Sequence, residues 1–334
     1  MASSTSPRLL LVGASSPLGA QVKARLEDSP RAFREVVLAE VGDMDAAGAR
    51  QLGEFGGEAV LVQDVGEVDF ASFDVALLLG SAVQMTPLLE AASRAGACVD
   101  ASGASRRRPG VSWRLDGMDT EPAASAVAAP HPVAATLVRL LQPLSGAGLL
   151  HEAAATVLLP AASLGPRAVE ELQQQAVGVL NFQDLPDDHL HGRLAFNVLP
   201  WDDAEHGGAS AEDLAWEVGC LLGRSSSQCS IQLLRVSTFH GYAFSIRVTL
   251  ESDVSPSELL QHLKGEHVQI ATGNVSLVEA MNGTLVVVTA SPAGAPRSYW
   301  LWAVADSLGA VAAANIVNLV EQCAAQVSLT GKVS

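Results

Sequence analysis

Two constellations in this chain have residue types and spacing suited to chemistry. The first is the apolar run Leu9–Val12, then Gly13-Ala-Ser15-Ser16-Pro17-Leu-Gly19, then Val22 and Leu26 four apart. A strand, a tight glycine turn and a helix N-terminus in that order form a cradle for a dinucleotide pyrophosphate. Its phosphates hang on backbone N–H groups and on the positive end of the helix. Gly13, Ser15, Ser16 and Gly19 are the cofactor-binding positions of that loop. Glu40 stands roughly 20 residues further on, where an acid can hold a ribose 2′-hydroxyl. The loop is flawed, because a three-glycine spacing requires glycine at position 16, and Pro17 has no N–H to donate. The second constellation is His189-Leu-His191 after Asp187-Asp188. These are zinc-ligand types, but two histidines at this spacing in a polar loop are ordinarily solvated, and no metal is expected.

These residues need elements to position them. In the first third, strands at Val36–Ala39, Ala59–Val62, Val75–Leu79 and Ala97–Val99 alternate with helical segments, one of them Pro87–Ala95. Continuous apolar runs separated by helices imply a parallel sheet with right-handed crossovers. After Pro132 the pattern changes. Helices are expected at Val133–Leu141, Pro166–Leu180 and Ala211–Leu222, and strands at Ala153–Leu159, Ser230–Ser237, Ala243–Glu251, Thr284–Ala290 and Ser298–Val304. Strands without regular intervening helices suggest a mixed or antiparallel sheet, and the chain closes on an amphipathic helix from Ala310 to Val327.

Composition narrows the partners. The 334 residues are 49% apolar and carry a formal net charge of −16, enough for two cores and hostile to a nucleic-acid surface. The single basic run, Arg106-Arg107-Arg108, is too short to reverse that. Four scattered cysteines (Cys98, Cys220, Cys229, Cys323) suit a reducing compartment and structural thiols. Without a signal-like N-terminus or a membrane-length apolar run, a cytoplasmic protein with no membrane partner is expected.

The element order resembles the aspartate-semialdehyde dehydrogenase family, and within it the non-catalytic Usg-type paralogues. The likeness is carried by GASSPLG, VDASGASR (99–106), AAPHPVAATLVRLLQPL (128–144), RLAFNVLP (193–200), RVSTFHGYAFSIRVTLE (235–251) and WLWAVADSLGAVAAAN (300–315). It spans nearly the whole chain. Family members form a thioester at a cysteine, exchange hydride with a nicotinamide and let phosphate attack the acyl-enzyme.

By this resemblance the family's Asn-Cys pair falls on His131 and Pro132. Proline starts a helix well but offers no nucleophile. The family's acid/base histidine falls on Tyr242, seven residues after Arg235, the position of the carboxylate-binding arginine. A tyrosine of ordinary pKa is a poor base. His240 shares a strand face with Tyr242 if the strand is regular through Gly241. Arg106 takes the phosphate-binding arginine position. Asp306 survives from an Asp-Asn-x-Arg-Lys-Gly string whose amide and both cations are lost. Near Glu40 the run AEVGDMD offers acids where users of the phosphorylated cofactor place basic and hydroxyl groups.

The resemblance therefore implies an α/β fold: a Rossmann-like domain over 1–130, with a C-terminal helix (310–334) packed on it, and an α+β substrate and dimerisation domain over 131–309. It implies a homodimer that is catalytically silent, requires no cofactor, binds NAD weakly at most and disfavours NADP. A remnant pocket for a small anion would remain, lined by Arg106, Arg235, His131 and His240, with a binding or regulatory role. Two rival readings stay open. One is an active NAD(P)-dependent semialdehyde dehydrogenase of amino-acid biosynthesis, and the other is an adaptor that forms mixed dimers with an active paralogue.

Overall fold

The computed structural model describes residues 6–29, 33–42, 52–118, 126–202, 209–225, 228–271, 273, 275–280, 286–306 and 309–330. The chain divides into two compact units, Met1–His131 with Ala312–Ser334, and Pro132–Val311.

The first unit is built on β1 (Arg8–Val12), α1 (Pro17–Glu27), β2 (Glu35–Glu40), β3 (Leu52–Phe55), β4 (Glu58–Asp64) and β5 (Val75–Leu78). It continues through α2 (Ala82–Met85), α3 (Leu89–Ala92), β6 (Ala97–Asp100), β7 (Ser112–Trp113) and β8 (Ala126–Ala128). The strand order is β3-β4-β2-β1-β5-β6-β8-β7. All pairings are parallel except β3 with β4, an antiparallel edge hairpin. The order reverses between β1 and β5, the place where open α/β sheets form their binding crevice.

The apolar runs are continuous because each strand feeds two cores. Leu9, Leu11, Val75 and Leu77 pack against Val22 and Leu26 of α1 and against Ile316, Val320 and Cys323 of the C-terminal helix Ala314–Thr330. Leu10, Val12, Ala76 and Leu78 face the opposite side, with Phe70, Phe73, Met85 and Leu89. Two local expectations change. The helix expected over 87–95 is instead two short helices, α2 and α3, joined by a 3₁₀ turn at Thr86–Leu88. Pro87 sits in that turn and cannot continue the ladder of α2. The C-terminal helix opens with a π-helical turn, Gly309–Ala313.

The second unit contains α4 (Pro132–Gly146), β9 (Leu150–Leu159), α5 (Pro166–Leu180), β10 (Val198–Pro200), α6 (Ala211–Leu222), β11 (Cys229–Val236) and β12 (Tyr242–Leu250). Then follow α7 (Pro256–Leu263), β13 (Val268–Ile270), β14 (Val286–Pro292) and β15 (Ser298–Ala305). The mixed sheet runs β10-β11-β9-β12-β15-β14-β13. Thr284 of the expected strand lies outside the described residues. The short helix α7 was absent from the sequence reading, although Ser255-Pro-Ser-Glu258 is a capping box.

Period-two alternation decides which sheet face is which. Ala153, Ala155, Val157, Phe244, Ile246, Val248 and Leu301 are buried beneath the helices. Their neighbours Thr156, Gln232, Ser245 and Trp302 align across four strands on the other face, with Arg247 paired to Trp300 in the next row. That second face is only partly buried, and Trp300 is 43% exposed.

Candidate functional site

The loop after β1 is where the sequence places a dinucleotide. Gly13 has φ +80°, and a Cβ there would come within 2.3 Å of the Leu79 carbonyl oxygen, across the point where the strand order reverses. A Cβ on Gly19 would come within 2.6 Å of the Ala14 carbonyl. Both surviving glycines are thus demanded by the packing of the loop itself. Ser16 caps α1: its Oγ accepts from Gly19 N–H at 3.0 Å and donates to the Gly13 carbonyl at 2.9 Å. The Ser15 N–H donates to Glu40 Oε1 at 2.7 Å. Gly13 N–H is held by the Ala39 carbonyl at 2.9 Å.

The Gly13, Ser15 and Gly19 amides are therefore engaged by the chain's own oxygens, and Pro17 has none to give. Glu40 points one carboxylate oxygen, Oε1, at the loop amide. Asp43 and Asp45 of the acidic run lie outside the described residues.

The other candidate residues of the first unit follow β6. Asp100, 2% exposed, accepts at one oxygen from Ser102 N–H and Oγ and at the other from Ser105 N–H and Oγ, at 2.6–2.9 Å. This turn fixes the backbone that presents Arg106. The Arg106 guanidinium folds over Gly103, where a Cβ would meet Nη2 at 2.7 Å. Half-buried His131 lies close enough to feel that charge. Burial first, then the Arg106 guanidinium, push its pKa down to about 4, so it is neutral near pH 7. The structure brings these two predicted residues together.

In the second unit, Pro132 opens α4, the helix whose start would activate a thiol. The four native cysteines lie elsewhere: Cys98 in β6, Cys220 in α6, Cys229 in β11 and Cys323 in the C-terminal helix. Burial pushes Cys98 up to about 12 and Cys229 and Cys323 to about 11, and it raises Cys220 as well. Tyr242 is 4% exposed and sits edge-on to Phe244. Burial raises its pKa to about 12; the adjacent Ser163 hydroxyl opposes the rise and Asp306 adds to it. The phenol stays protonated and cannot act as a base near neutrality.

His240 does not share a strand face with Tyr242. β11 ends at Val236, β12 begins at Tyr242, and Gly241 between them has φ +83°. That left-handed residue turns the chain, so the regular alternation required for a shared face is broken. The turn is pinned where Ala161 N–H and Ala162 N–H donate to the Thr238 and Phe239 carbonyls.

Arg235 lies at the end of β11 and is 5% exposed. Its Nη1 donates to the Leu190 carbonyl at 2.5 Å and its Nε to the Pro200 carbonyl at 3.3 Å. Two residues on α5 that the sequence reading passed over hold the same loop. Glu171 accepts from His189 and Leu190 N–H, while Gln175 accepts from Leu194 and Ala195 N–H and donates to the Pro186 and Gly192 carbonyls. The available signal was an acid and an amide at i and i+4, among apolar positions facing a core. This clamp leaves His189 and His191 exposed on the loop surface, with the His189 N–H fixed by Glu171. Among the described residues no cluster of three or more His, Cys, Asp or Glu could hold a metal ion.

No family model matches the chain. A curated aspartate-semialdehyde dehydrogenase from Aquifex aeolicus (strain VF5) is 23% identical, over 94% of this chain and 97% of its own. A probable aspartate-semialdehyde dehydrogenase structure from Pseudomonas aeruginosa superposes with a TM-score of 0.84 at 24% identity, covering 95% of this chain and 98% of that one. Aspartate semialdehyde dehydrogenase II from Vibrio cholerae, complexed with ASA, gives 0.84 at 19% identity, with coverage of 95% and 98%. The Candida albicans enzyme with NADP gives 0.69 at 14%, covering 97% and 99%. The chain is similar to aspartate-semialdehyde dehydrogenases along nearly its full length. The solved structures establish the shared fold, and the likeness to the Aquifex sequence extends over 94% of the chain. Among the described residues, no helix is long and apolar enough to cross a membrane.

Proposed function

We propose that this protein is a catalytically silent member of the aspartate-semialdehyde dehydrogenase relatives, of the Usg type, with a remnant anion pocket and a binding or regulatory role. One observation carries the reading. The start of α4 holds Pro132 instead of a thiol, while every native cysteine has a raised pKa and Tyr242 is held at about 12. A covalent acyl transfer needs a thiolate and a proton acceptor, each worth orders of magnitude in rate. The nucleotide loop points the same way, with Glu40 and Ser16 taking two of its amides, those of Ser15 and Gly19.

The anion pocket rests on Arg106 beside neutral His131. A permanent cation next to a ring nitrogen that can donate or accept suits phosphate or a carboxylate. Self-association would use the partly buried face of the second unit's sheet, where Trp300 and Trp302 flank Arg247 and Ser245. Aromatic residues and arginine are enriched in such interfaces.

The test is an assay of NAD- and NADP-linked aspartate semialdehyde oxidation with phosphate, alongside thermal melts in increasing phosphate. No turnover is expected, together with a melting temperature that rises with phosphate in wild type and not in Arg106→Met. Turnover that scales with protein concentration would favour the active-dehydrogenase reading instead. A phosphate response that survives in the variant would remove the pocket.

A further inference from the structure

The first unit contains a cavity of about 310 Å³ that involves neither the loop after β1 nor Arg106 and His131. Its buried wall is apolar: Leu89 of α3, Cys98 of β6 and Val127 of β8. Asp100 and Ser105 also border it, but their polar atoms are spent on each other and on Ser102. Burial keeps the Cys98 thiol protonated, with a pKa of about 12, so it acts as part of the apolar wall. Two charged side chains remain, Glu90 from α3 and Arg108 from the loop after β6, and both are exposed members of the lining. Neither the Glu90 carboxylate nor the Arg108 guanidinium has a hydrogen-bond or ion-pair partner among the described residues, and they do not pair with each other. Arg106 and Arg107 beside them are engaged, which sets Arg108 apart.

An apolar chamber with one unspent cation and one unspent anion at its exposed side selects for a ligand of matching pattern. We infer that this cavity is a binding site for a free α-amino acid with an apolar side chain. The ligand carboxylate pairs with Arg108, its ammonium with Glu90, and its side chain fills the space against Leu89, Cys98 and Val127. A guanidinium suits a carboxylate because it donates two parallel hydrogen bonds. The volume lies at the small end of ligand pockets, as an amino acid requires. A simple carboxylic acid would face repulsion from Glu90, and a simple amine would face repulsion from Arg108. Both charges are thus needed on one small molecule. This site is separate from the proposed anion pocket and does not depend on the protein being catalytically silent.

The experiment uses the full-length protein and L-leucine as probe, read by calorimetry and by melting temperature. Leucine should bind saturably and raise the melting temperature by mass action. 4-Methylpentanoate and 3-methylbutylamine, which each carry one of its two charges, should bind at least tenfold more weakly. Arg108→Met and Glu90→Gln alter exposed side chains and should keep the fold by circular dichroism, yet each should weaken leucine binding about tenfold or more. Ala126→Trp should fill the chamber and abolish binding, while Arg106→Met should leave leucine affinity unchanged. Absence of leucine binding up to ~10 mM would overturn the inference. So would equal binding by the single-charge analogues, or affinity that survives in the Arg108→Met, Glu90→Gln double variant.

Discussion

The carboxylate of Glu40 accepts the backbone N–H of Ser15 at 2.7 Å, and so closes the loop after β1 with an anion from the protein itself. A carboxylate there occupies an amide that a phosphate or ribose would otherwise compete for, and it repels both dinucleotide phosphates and a 2′-phosphate. Glu40→Ala is expected to raise affinity for NAD about tenfold, and for NADP by more, because the second ligand carries the additional charge. Calorimetry with each dinucleotide reads the effect. Equal affinities in wild type and variant would mean that Glu40 swings aside at no cost.

Pro132→Cys puts a thiol at the first position of α4, where the helix dipole favours the thiolate. Its alkylation by iodoacetamide should outpace that of the four native cysteines, whose pKa values are all raised. Semialdehyde oxidation should nevertheless stay at background, since Tyr242, raised to about 12, supplies no base. Full turnover in this single variant would show that the acid/base position is not what silences the site.

His131 predicts a specific pH response. Its pKa is lowered to about 4 in the folded protein, so the unfolded chain binds the proton more readily at mildly acid pH. The neutral ring is compatible with full stability above about 6.5, and that stability is lost as pH falls toward 4. His131→Asn should flatten this part of the stability profile in urea melts at successive pH values. An unchanged slope would place His131 in open solvent.

Arg235→Met strips two main-chain carbonyls of a charged donor, that of Leu190 in a buried bond and that of Pro200 in a part-buried one. Unsatisfied buried acceptors cost about 1–3 kcal/mol each. A clear fall in melting temperature is expected, with faster amide exchange over 186–200, even in the absence of any ligand. A variant as stable as wild type, differing only in anion response, would show that Arg235 serves a ligand instead.

Gly13→Ala would drive a Cβ to within 2.3 Å of the Leu79 carbonyl and force a left-handed φ on alanine. Neither atom belongs to a flexible side-chain end, so the variant should lose several kcal/mol and fail to fold at expression temperature. A soluble protein of wild-type stability would contradict the packing seen at the strand reversal.

Much of the architecture was legible in the residues alone, because period and punctuation are local properties. The run Val75–Leu79 reads as a strand buried on both faces, since each successive side chain meets a different core. Ser16-Pro17 reads as a helix start, because a cap and a first-turn proline act within a few residues. The replacements at 132 and 242 were legible only through the family resemblance. What the linear order did not contain was which groups satisfy one another across the chain. That Glu40 meets the Ser15 amide follows only from the β1–β2 register, which sets Val12 beside Ala39. That Arg235 donates to the Leu190 carbonyl follows only from the loop held by Glu171 and Gln175. His240 shares a face with Tyr242 only on paper, because the sign of one glycine's φ is set by the tertiary turn around it. Polar partners are chosen by proximity in space, and only the folded chain establishes that proximity.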